Sequence, residues 1–375
     1  MELSIRKDNS WVAWRNRLLA DPGVQRAMLR LPGLRWLVQS KARTMFDRVA
    51  GFAYSQILAA AIELDLFERL RAAPATTDEL ATEWAMPVAG AERLLRALAA
   101  LDLVEPLSGQ MSQPWTLAPD GAALLGNPGI AAMIAHHRLL YADLADPVAL
   151  LRRGGGGGAL QGFWHYARDA GQGPEGAVSD YSRLMAASQP LVAELVIGAY
   201  RFARHRAMLD VGGGEGAFAA AVARAVPGLA IGLFDLPEVG KRAAARIEAA
   251  GLGARVQVHG GSFLGDPLPR GHDLITLVRV LHDHDDAPAL ALLRAVRAAL
   301  PPGGRLVIAE PMAGARGAKR MGDAYFGLYL WAMGSGRPRR PDEIGALLGE
   351  AGFKTWRRRP TALPLNAQLV IAGVE

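Results

Sequence analysis

From Ala53 to about Gly129 the apolar positions recur at helical spacing. Ile57, Leu58, Ala61, Leu64, Leu66, Phe67 and Leu70 form one stripe, a short helix opens at Thr77, and a third runs from Val88 to Leu101. Leu103-Val104-Glu105 and Trp115-Thr116-Leu117 flank a polar Ser108-Gly109-Gln110 turn, so the spacing predicts three helices and a small β-hairpin, a winged-helix outline. Helical texture returns over 131–151. It stops at five glycines, Gly154–Gly158, which predict a surface loop; with no apolar strand before them and no Lys-Ser/Thr after, they do not form a P-loop. From about Arg206 short apolar runs alternate with helices. The strand-like runs are Ala207–Val211, Ala230–Phe234, Arg255–His259, Leu274–Val278 and Arg305–Ala309. Such alternation implies right-handed βαβ crossovers and a mainly parallel, doubly wound sheet, with ligands at the carboxyl ends of the strands. The expected organisation is a helical, winged-helix dimerisation domain over residues 1–195 and an α/β domain over 196–375.

Composition adds exclusions. A chain of 375 residues, about half of them apolar, has material for two cores. It has no cysteine, which removes disulfides, thiolate zinc sites and cysteine nucleophiles. The start Met-Glu-Leu-Ser lacks a secretory pattern, and the most apolar stretch, 216–234, is interrupted by Arg224 and Pro227. A cytoplasmic protein without integral membrane spans is expected. Residues 1–50 hold ten Lys or Arg against four acids, an excess equal to the whole net charge of +6. Interleaved with Trp11, Trp14 and Trp36, that segment suits either a dimer arm with a solvated basic face or helices in peripheral contact with a membrane surface. Apolar helices from Trp36 to Leu70 carry more hydrophobic surface than one detached domain could cover, which predicts a homodimer.

The strongest local signal is Met208-Leu209-Asp210-Val211-Gly212-Gly213-Gly214-Glu215-Gly216, an apolar strand that runs into glycines and then an alanine-rich helix. Glycines let a ligand approach the main chain, and the helix start offers free N–H donors. About twenty residues on, Asp235 ends the next strand, placed to accept hydrogen bonds from ribose hydroxyls. Gly212, Gly214 and Ala217 also satisfy a dinucleotide fingerprint. Charge separates the two readings: Asp210 and Glu215 would repel a pyrophosphate and attract the ammonium and sulfonium of S-adenosylmethionine. A hydride-transferring enzyme is the alternative.

After the fourth strand comes Leu281-His282-Asp283-His284-Asp285-Asp286. As a metal site it is poor, because alternate residues on an extended segment face opposite ways. Asp285 and Asp286 are expected to cap the following helix, which leaves His282 as candidate general base. Met321–Met333 is apolar on nearly every side and is read equally as the lining of an acceptor tunnel or as an ordinary buried helix. His136 and His137 are expected on a helix surface. A winged helix with basic charge also allows a DNA-binding regulator, but Val88–Leu101 offers only Arg93 and Arg96 to a major groove, and no nucleic-acid partner is expected.

The order Asp-Val-Gly-Gly-Gly, Phe234-Asp235-Leu236-Pro237, Gly260-Gly261-Ser262-Phe263, Leu281-His282-Asp283 and Pro302-Gly303-Gly304 resembles the plant-type small-molecule O-methyltransferase family over nearly the whole chain. The resemblance implies a Rossmann-like fold using S-adenosylmethionine without a metal. It implies that His282 removes the acceptor proton, with Glu310 orienting it and Asp283 beside it, that Asp235 holds the ribose, and that Ser262 and Phe263 lie beside the adenine. Asp210, Gly212, Gly214, Leu236, Arg279 and Ser188 complete the expected cofactor contacts; Tyr325, Tyr329, Met333 and Met185 are the expected acceptor-pocket residues. Two positions depart from the pattern. Arg337-Pro338-Arg339-Arg340 follows Gly336 where phenol-methylating members carry a second acid, and His284 stands where an aromatic residue is expected. The stretches 141–151 and 181–189 are most similar to bacterial members that methylate acyclic hydroxycarotenoids, which implies an apolar hydroxyl-bearing acceptor; phenolic, polyketide and bacteriochlorophyll precursors are the alternatives.

Overall fold

The computed structural model describes residues 2–107, 113–168, 188–315 and 317–375. It divides into two compact units, residues 1–122 and 123–375.

In the first unit three helices, Glu2–Ala20, Pro22–Arg30 and Pro32–Glu63, precede the winged-helix elements Leu66–Ala72, Thr77–Glu83 and Val88–Ala99. The apolar stripe that predicts one helix across 57–70 is broken: Asp65 takes φ 51° and the chain bends by 56° between Glu63 and Leu66. Thr76 opens its helix with a capping box, its hydroxyl accepting from Glu79 N–H while the Glu79 carboxylate accepts from Thr76 N–H. The hairpin strands β1 (Val104–Pro106) and β2 (Trp115–Leu117) pair antiparallel. Trp115 is fully buried and donates its indole N–H to the Thr77 hydroxyl at 3.0 Å, which ties the hairpin to the helices. The expected turn at 108–110 lies outside the described residues. Long apolar side chains of the first helices stay exposed: Trp36 by 68%, Phe46 by 64%, Val49 by 67% and Phe52 by 74%. No single helix among the described residues is long and apolar enough to cross a membrane.

The second unit is built on a seven-stranded sheet of β3 (Ala207–Val211), β4 (Ala230–Asp235), β5 (Val256–Gly260), β6 (Leu274–Val278), β7 (Arg305–Glu310), β8 (Thr355–Pro360) and β9 (Gln368–Gly373), ordered β5-β4-β3-β6-β7-β9-β8. The first five are parallel, at the positions the apolar runs predict, and β8 and β9 add an antiparallel edge. One face packs on the helices at 188–199, Ala217–Ala225 and Pro237–Ala249, through Val196, Phe218 and Ile247; the other packs on Asp286–Ala299 and Pro341–Glu350, through Leu293 and Ile344. The direction of strand addition reverses between β3 and β6, so their carboxyl ends open the crevice where ligands of such sheets bind.

The boundary differs from the expected one at residue 195. Helices Pro128–Asp143, Pro147–Arg152 and Ala159–Arg168 belong with the sheet-bearing unit, because Leu140, Leu150 and Leu160 share a core with Tyr329, Leu330 and Met333. The glycine run takes part in this packing and is not simply a surface loop. Gly156 is buried and donates its N–H to the Trp331 carbonyl at 2.9 Å, and the Asp143 carboxylate accepts from Ala159 and Leu160 N–H.

Candidate active site

A cavity of about 460 Å³ opens at the carboxyl ends of β3, β4 and β6. Its floor is the glycine loop. Gly212 turns with φ 69°, and a Cβ there would lie 2.8 Å from Val280. Beneath the loop, Asp210 sits beside Thr276 in the β3–β6 register and accepts its hydroxyl at 2.7 Å, while Oδ2 is buried without a partner. Burial pushes the Asp210 carboxyl up to about 7 against the effect of the Thr276 bond, and the charge of Asp235 pushes the same way. The Asp235 carboxylate accepts Gly214 N–H through Oδ2 and Leu236 N–H through Oδ1, each at 2.7 Å. Each oxygen keeps lone pairs for a ligand donor. Glu215 is ion-paired with Arg242 and Arg246 at 3.4 and 2.8 Å. It therefore does not present a free charge to a pyrophosphate, and with Asp210 raised to about 7 the carboxylate that disfavours a pyrophosphate at the cavity is that of Asp235.

The residues fit S-adenosylmethionine. The Oε1 atom of Gln189, which lines the cavity, is a buried acceptor without a partner and suits a ligand rich in donors and positive charge; Asp210 Oδ2, also without a partner, lies beneath the glycine loop and outside the cavity lining. Gly212, Gly214, Asp235, Leu236, Ser262, Phe263 and Arg279 line the same cavity. Arg279 takes φ 57° and donates to the Ser188 hydroxyl at 2.9 Å, which joins the strand end to the start of the 188–199 helix.

Leu281–Asp283 forms a single 3₁₀ turn after β6, with His282 buried at the cavity wall. His282 Nε2 lies 3.1 Å from Asp283 Oδ1. Glu310, at the end of β7 and almost wholly buried, accepts the main-chain N–H of His282 at 3.0 Å, and the same oxygen is 3.8 Å from Nδ1, which has no hydrogen-bond partner. Burial acts to depress the imidazole pKa, but the Asp283 charge and hydrogen bond and the Glu310 charge outweigh it and hold His282 above its usual range. Burial raises the Glu310 carboxyl against the lowering effect of His282.

Asp285 stands at the N-cap position of its helix and Asp286 in the first turn, but no side-chain capping hydrogen bond forms. They reach instead to the segment after Gly334. Asp285 accepts Gly336 N–H at 3.0 Å, and Asp286 accepts Arg339 at 2.7 Å and Arg337 at 3.2 Å. Arg339, buried to 1% exposure, also donates to the carbonyls of Leu281 at 2.9 Å and His284 at 2.7 Å. Ser335 donates its hydroxyl to the Asp283 carbonyl at 3.0 Å. Gly336 is held against the turn with φ 81°, where a Cβ would collide with the His282 carbonyl. The turn is thus braced by a buried arginine where the sequence shows no second acid. A buried guanidinium carries no local sequence signal.

The acceptor side resolves into two groups. Phe326, Tyr329 and Leu330 line the cavity, whereas Met333 and Tyr325 are not among its lining residues; Met333 is core, packed with Leu140, Leu150 and Leu160. Met185 lies outside the described residues. Arg320–Phe326 is wound as a π-helix, a form that often marks functional sites. His136 and His137 are not on a surface: their Nε2 atoms lie 2.8 Å from the Tyr329 hydroxyl and 2.7 Å from the Tyr325 hydroxyl. Burial, with His137 beside it, holds His136 down at about 4, so it is neutral near pH 7. The signal that could have placed them is the apolar character of Ile130, Met133, Ile134, Leu139 and Leu140 around that helix, which leaves no polar face. His284 packs edge-on against Phe263, ring centroids 5.2 Å apart. Among the described residues no group of three potential ligands could hold a metal ion.

Residues 141–354 match the family model of the O-methyltransferase domain, and residues 46–127 match that of the O-methyltransferase dimerisation domain. The chain is 43% identical to the demethylspheroidene O-methyltransferase of Cereibacter sphaeroides over 357 residues, 95% of this chain and 93% of the relative. It is 41% identical to the protein of that name from Rhodobacter capsulatus, over 92% of this chain and 85% of the relative. Among solved structures it resembles the mitomycin 7-O-methyltransferase with a TM-score of 0.74 and 25% identity, covering 90% of this chain and 98% of that one.

Proposed function

The chain belongs to the O-methyltransferase family, and from that premise we propose that it transfers a methyl group from S-adenosylmethionine to the hydroxyl of an acyclic hydroxycarotenoid. Two near-full-length relatives named for demethylspheroidene support the acceptor class. The observation that carries the chemistry is His282, a buried base held between Asp283 and Glu310 on a wall shared by the glycine loop and by Phe326, Tyr329 and Leu330.

Bound S-adenosylmethionine supplies an electrophilic methyl group on its sulfonium. Gln189 offers an acceptor to the amino-acid end, Asp235 to the ribose, and Ser262 and Phe263 flank the base. Phe326, Tyr329 and Leu330 give the acceptor a dry apolar wall that leads its hydroxyl to His282. An aliphatic alcohol is far less acidic than a phenol of pKa about 10, so imidazole cannot ionise it beforehand. His282 would take the proton as the carbon–oxygen bond forms and the methyl–sulfur bond breaks, S-adenosylhomocysteine being the leaving group, and Asp283 and Glu310 would stabilise the imidazolium. Holding the reacting atoms about 3 to 3.5 Å apart supplies most of the acceleration. The dimerisation domain supports a homodimer, and the basic, tryptophan-bearing helices before residue 50 are suited to peripheral contact with the membrane that dissolves such an acceptor.

The test is incubation of the protein with isotopically labelled methyl donor and, separately, an acyclic hydroxycarotenoid and a simple phenol, followed by mass spectrometry. Label in the carotenoid and none in the phenol is expected; label in the phenol alone overturns the acceptor class.

A further inference from the structure

A second cleft, of about 610 Å³, lies at the opposite edge of the sheet from β5, away from the glycine loop. It is lined by Arg201, Arg204, Arg305, Arg357 and Arg359, against Asp273 as its one carboxylate. The five come from three places in the chain. Arg201 and Arg204 follow the 188–199 helix, Arg305 begins β7, and Arg357 and Arg359 project at alternate positions from the edge strand β8. Among the described residues none of the five makes a salt bridge or a side-chain hydrogen bond, although arginines elsewhere in this unit, such as Arg246 and Arg339, are paired. Asp273 does not neutralise them. Its oxygens accept Arg206 and Ala207 N–H at 2.9 to 3.3 Å and face His205 Nδ1 at 3.1 Å, and His205 is in turn bonded to the Tyr200 hydroxyl at 2.8 Å.

Ordinary causes explain the arginines piecemeal. Charge on β8 protects an exposed sheet edge from pairing with other strands, and cations after a helix complement its negative end. Neither explains why β7 and the helix end place theirs at the same cleft as β8, where like charges repel. Guanidinium forks match phosphate oxygens bidentately, and the cleft sets five of them around one space whose lining also holds Tyr200, its hydroxyl taken up by His205.

The geometry points to an anion site in which these five arginines bind a phosphate group, carried by a soluble molecule or by a lipid head. The cleft is larger than a single phosphate needs, which leaves room for what the phosphate is attached to. None of the five lines the methyl-transfer cavity, so their replacement leaves basal turnover unchanged.

The experiment compares the full-length protein with a triple variant, Arg204→Gln, Arg305→Gln and Arg357→Gln, and with the three single variants in case the triple fails to fold. Inorganic pyrophosphate is titrated calorimetrically, and sedimentation is measured with phosphatidylcholine vesicles with and without phosphatidylglycerol. The expected result is pyrophosphate binding that weakens with salt and falls at least roughly tenfold in the triple variant, with a smaller loss in each single one. A soluble phosphate is the source if the variants lose pyrophosphate but bind vesicles as the wild type does. A lipid head is the source if they lose the phosphatidylglycerol-dependent fraction; binding contributed by the N-terminal helices is common to all variants and drops out of the comparison. Absence of binding to either probe, or binding that the variants do not change, overturns the site.

Discussion

The same Glu310 oxygen that accepts the main-chain N–H of His282 at 3.0 Å stands 3.8 Å from the imidazole Nδ1. Glu310 therefore anchors the turn through its backbone and acts on the ring by charge at longer range. His282→Gln is expected to lower kcat by about 10² to 10⁴-fold with donor affinity unchanged. Glu310→Gln keeps an acceptor for the N–H and should lose less activity, whereas Glu310→Ala also leaves a buried donor unpaired and should lower stability by about 1 to 3 kcal/mol. Single-turnover kinetics and denaturant titration separate these effects. Full turnover in His282→Gln between about pH 6 and 9, with chemistry limiting, would show that the histidine is structural.

Arg339 holds the carbonyls of Leu281 and His284, on either side of His282, with one guanidinium. Its bond also holds the Asp286 carboxyl below the usual carboxylate range. Arg339→Met leaves the Leu281 and His284 carbonyls without their donor, while Asp286 is more than half exposed and can be solvated, so it should cost about 1 to 3 kcal/mol of stability and should lower kcat more than it raises the donor Kd. Arg339→Lys keeps the charge but not the fork, so partial recovery of stability with poor recovery of kcat is expected. If Arg339→Met turns over like the wild type, the brace does not position the base.

How far the sequence reveals this arrangement depends on what each residue faces. Leu274–Val278 is legible because a strand covered on both faces is apolar at every position, and the strand–glycine–helix–strand–acid order around Asp210 and Asp235 is legible because its parts are adjacent in the chain. β8 is not: all six residues are exposed and three consecutive arginines hide any alternation. Arg339 and the His136–Tyr329 and His137–Tyr325 pairs join segments about 50 to about 190 residues apart, and no local pattern encodes a partner at that distance. The capping expected of Asp285 and Asp286 fails for the same reason, since a long-range arginine outcompetes the nearby N–H groups for Asp286.

Trp36, Phe46, Val49 and Phe52 leave apolar surface exposed on the first unit of the single chain, the last three within the region that matches a dimerisation domain and Trp36 just before it. A self-complementary patch of this kind is covered in a two-fold dimer. Light scattering at micromolar concentration should report twice the chain mass. Phe46→Glu with Phe52→Glu should shift the species toward monomer, because burying two unpaired charges at an interface is strongly unfavourable. A stable monomeric wild type would remove the argument.

With His282 as the proposed base, Asp283 is expected to set the pH at which that base is available. Burial alone would make His282 harder to protonate, yet the carboxylate 3.1 Å from Nε2, with Glu310 behind Nδ1, raises its pKa above the ordinary value. Only the neutral ring accepts a proton from the acceptor hydroxyl, so kcat should climb as pH passes through this raised value and level off above it. The midpoint should therefore lie above about 6.5, the value for an unperturbed histidine. Asp283→Asn removes the charge while keeping a side chain of the same shape, and burial and Arg279 then act with less opposition. Its midpoint should move to lower pH. Its plateau rate should also fall, because a weaker base draws the proton less strongly in the transition state. The two effects act in opposite directions below the wild-type midpoint, so the variant loses least, relative to the wild type, on the acidic side. Rates measured from acid to alkaline pH under saturating donor and acceptor check this. A midpoint that stays in place, or moves upward, would mean that Asp283 does not control the protonation of His282.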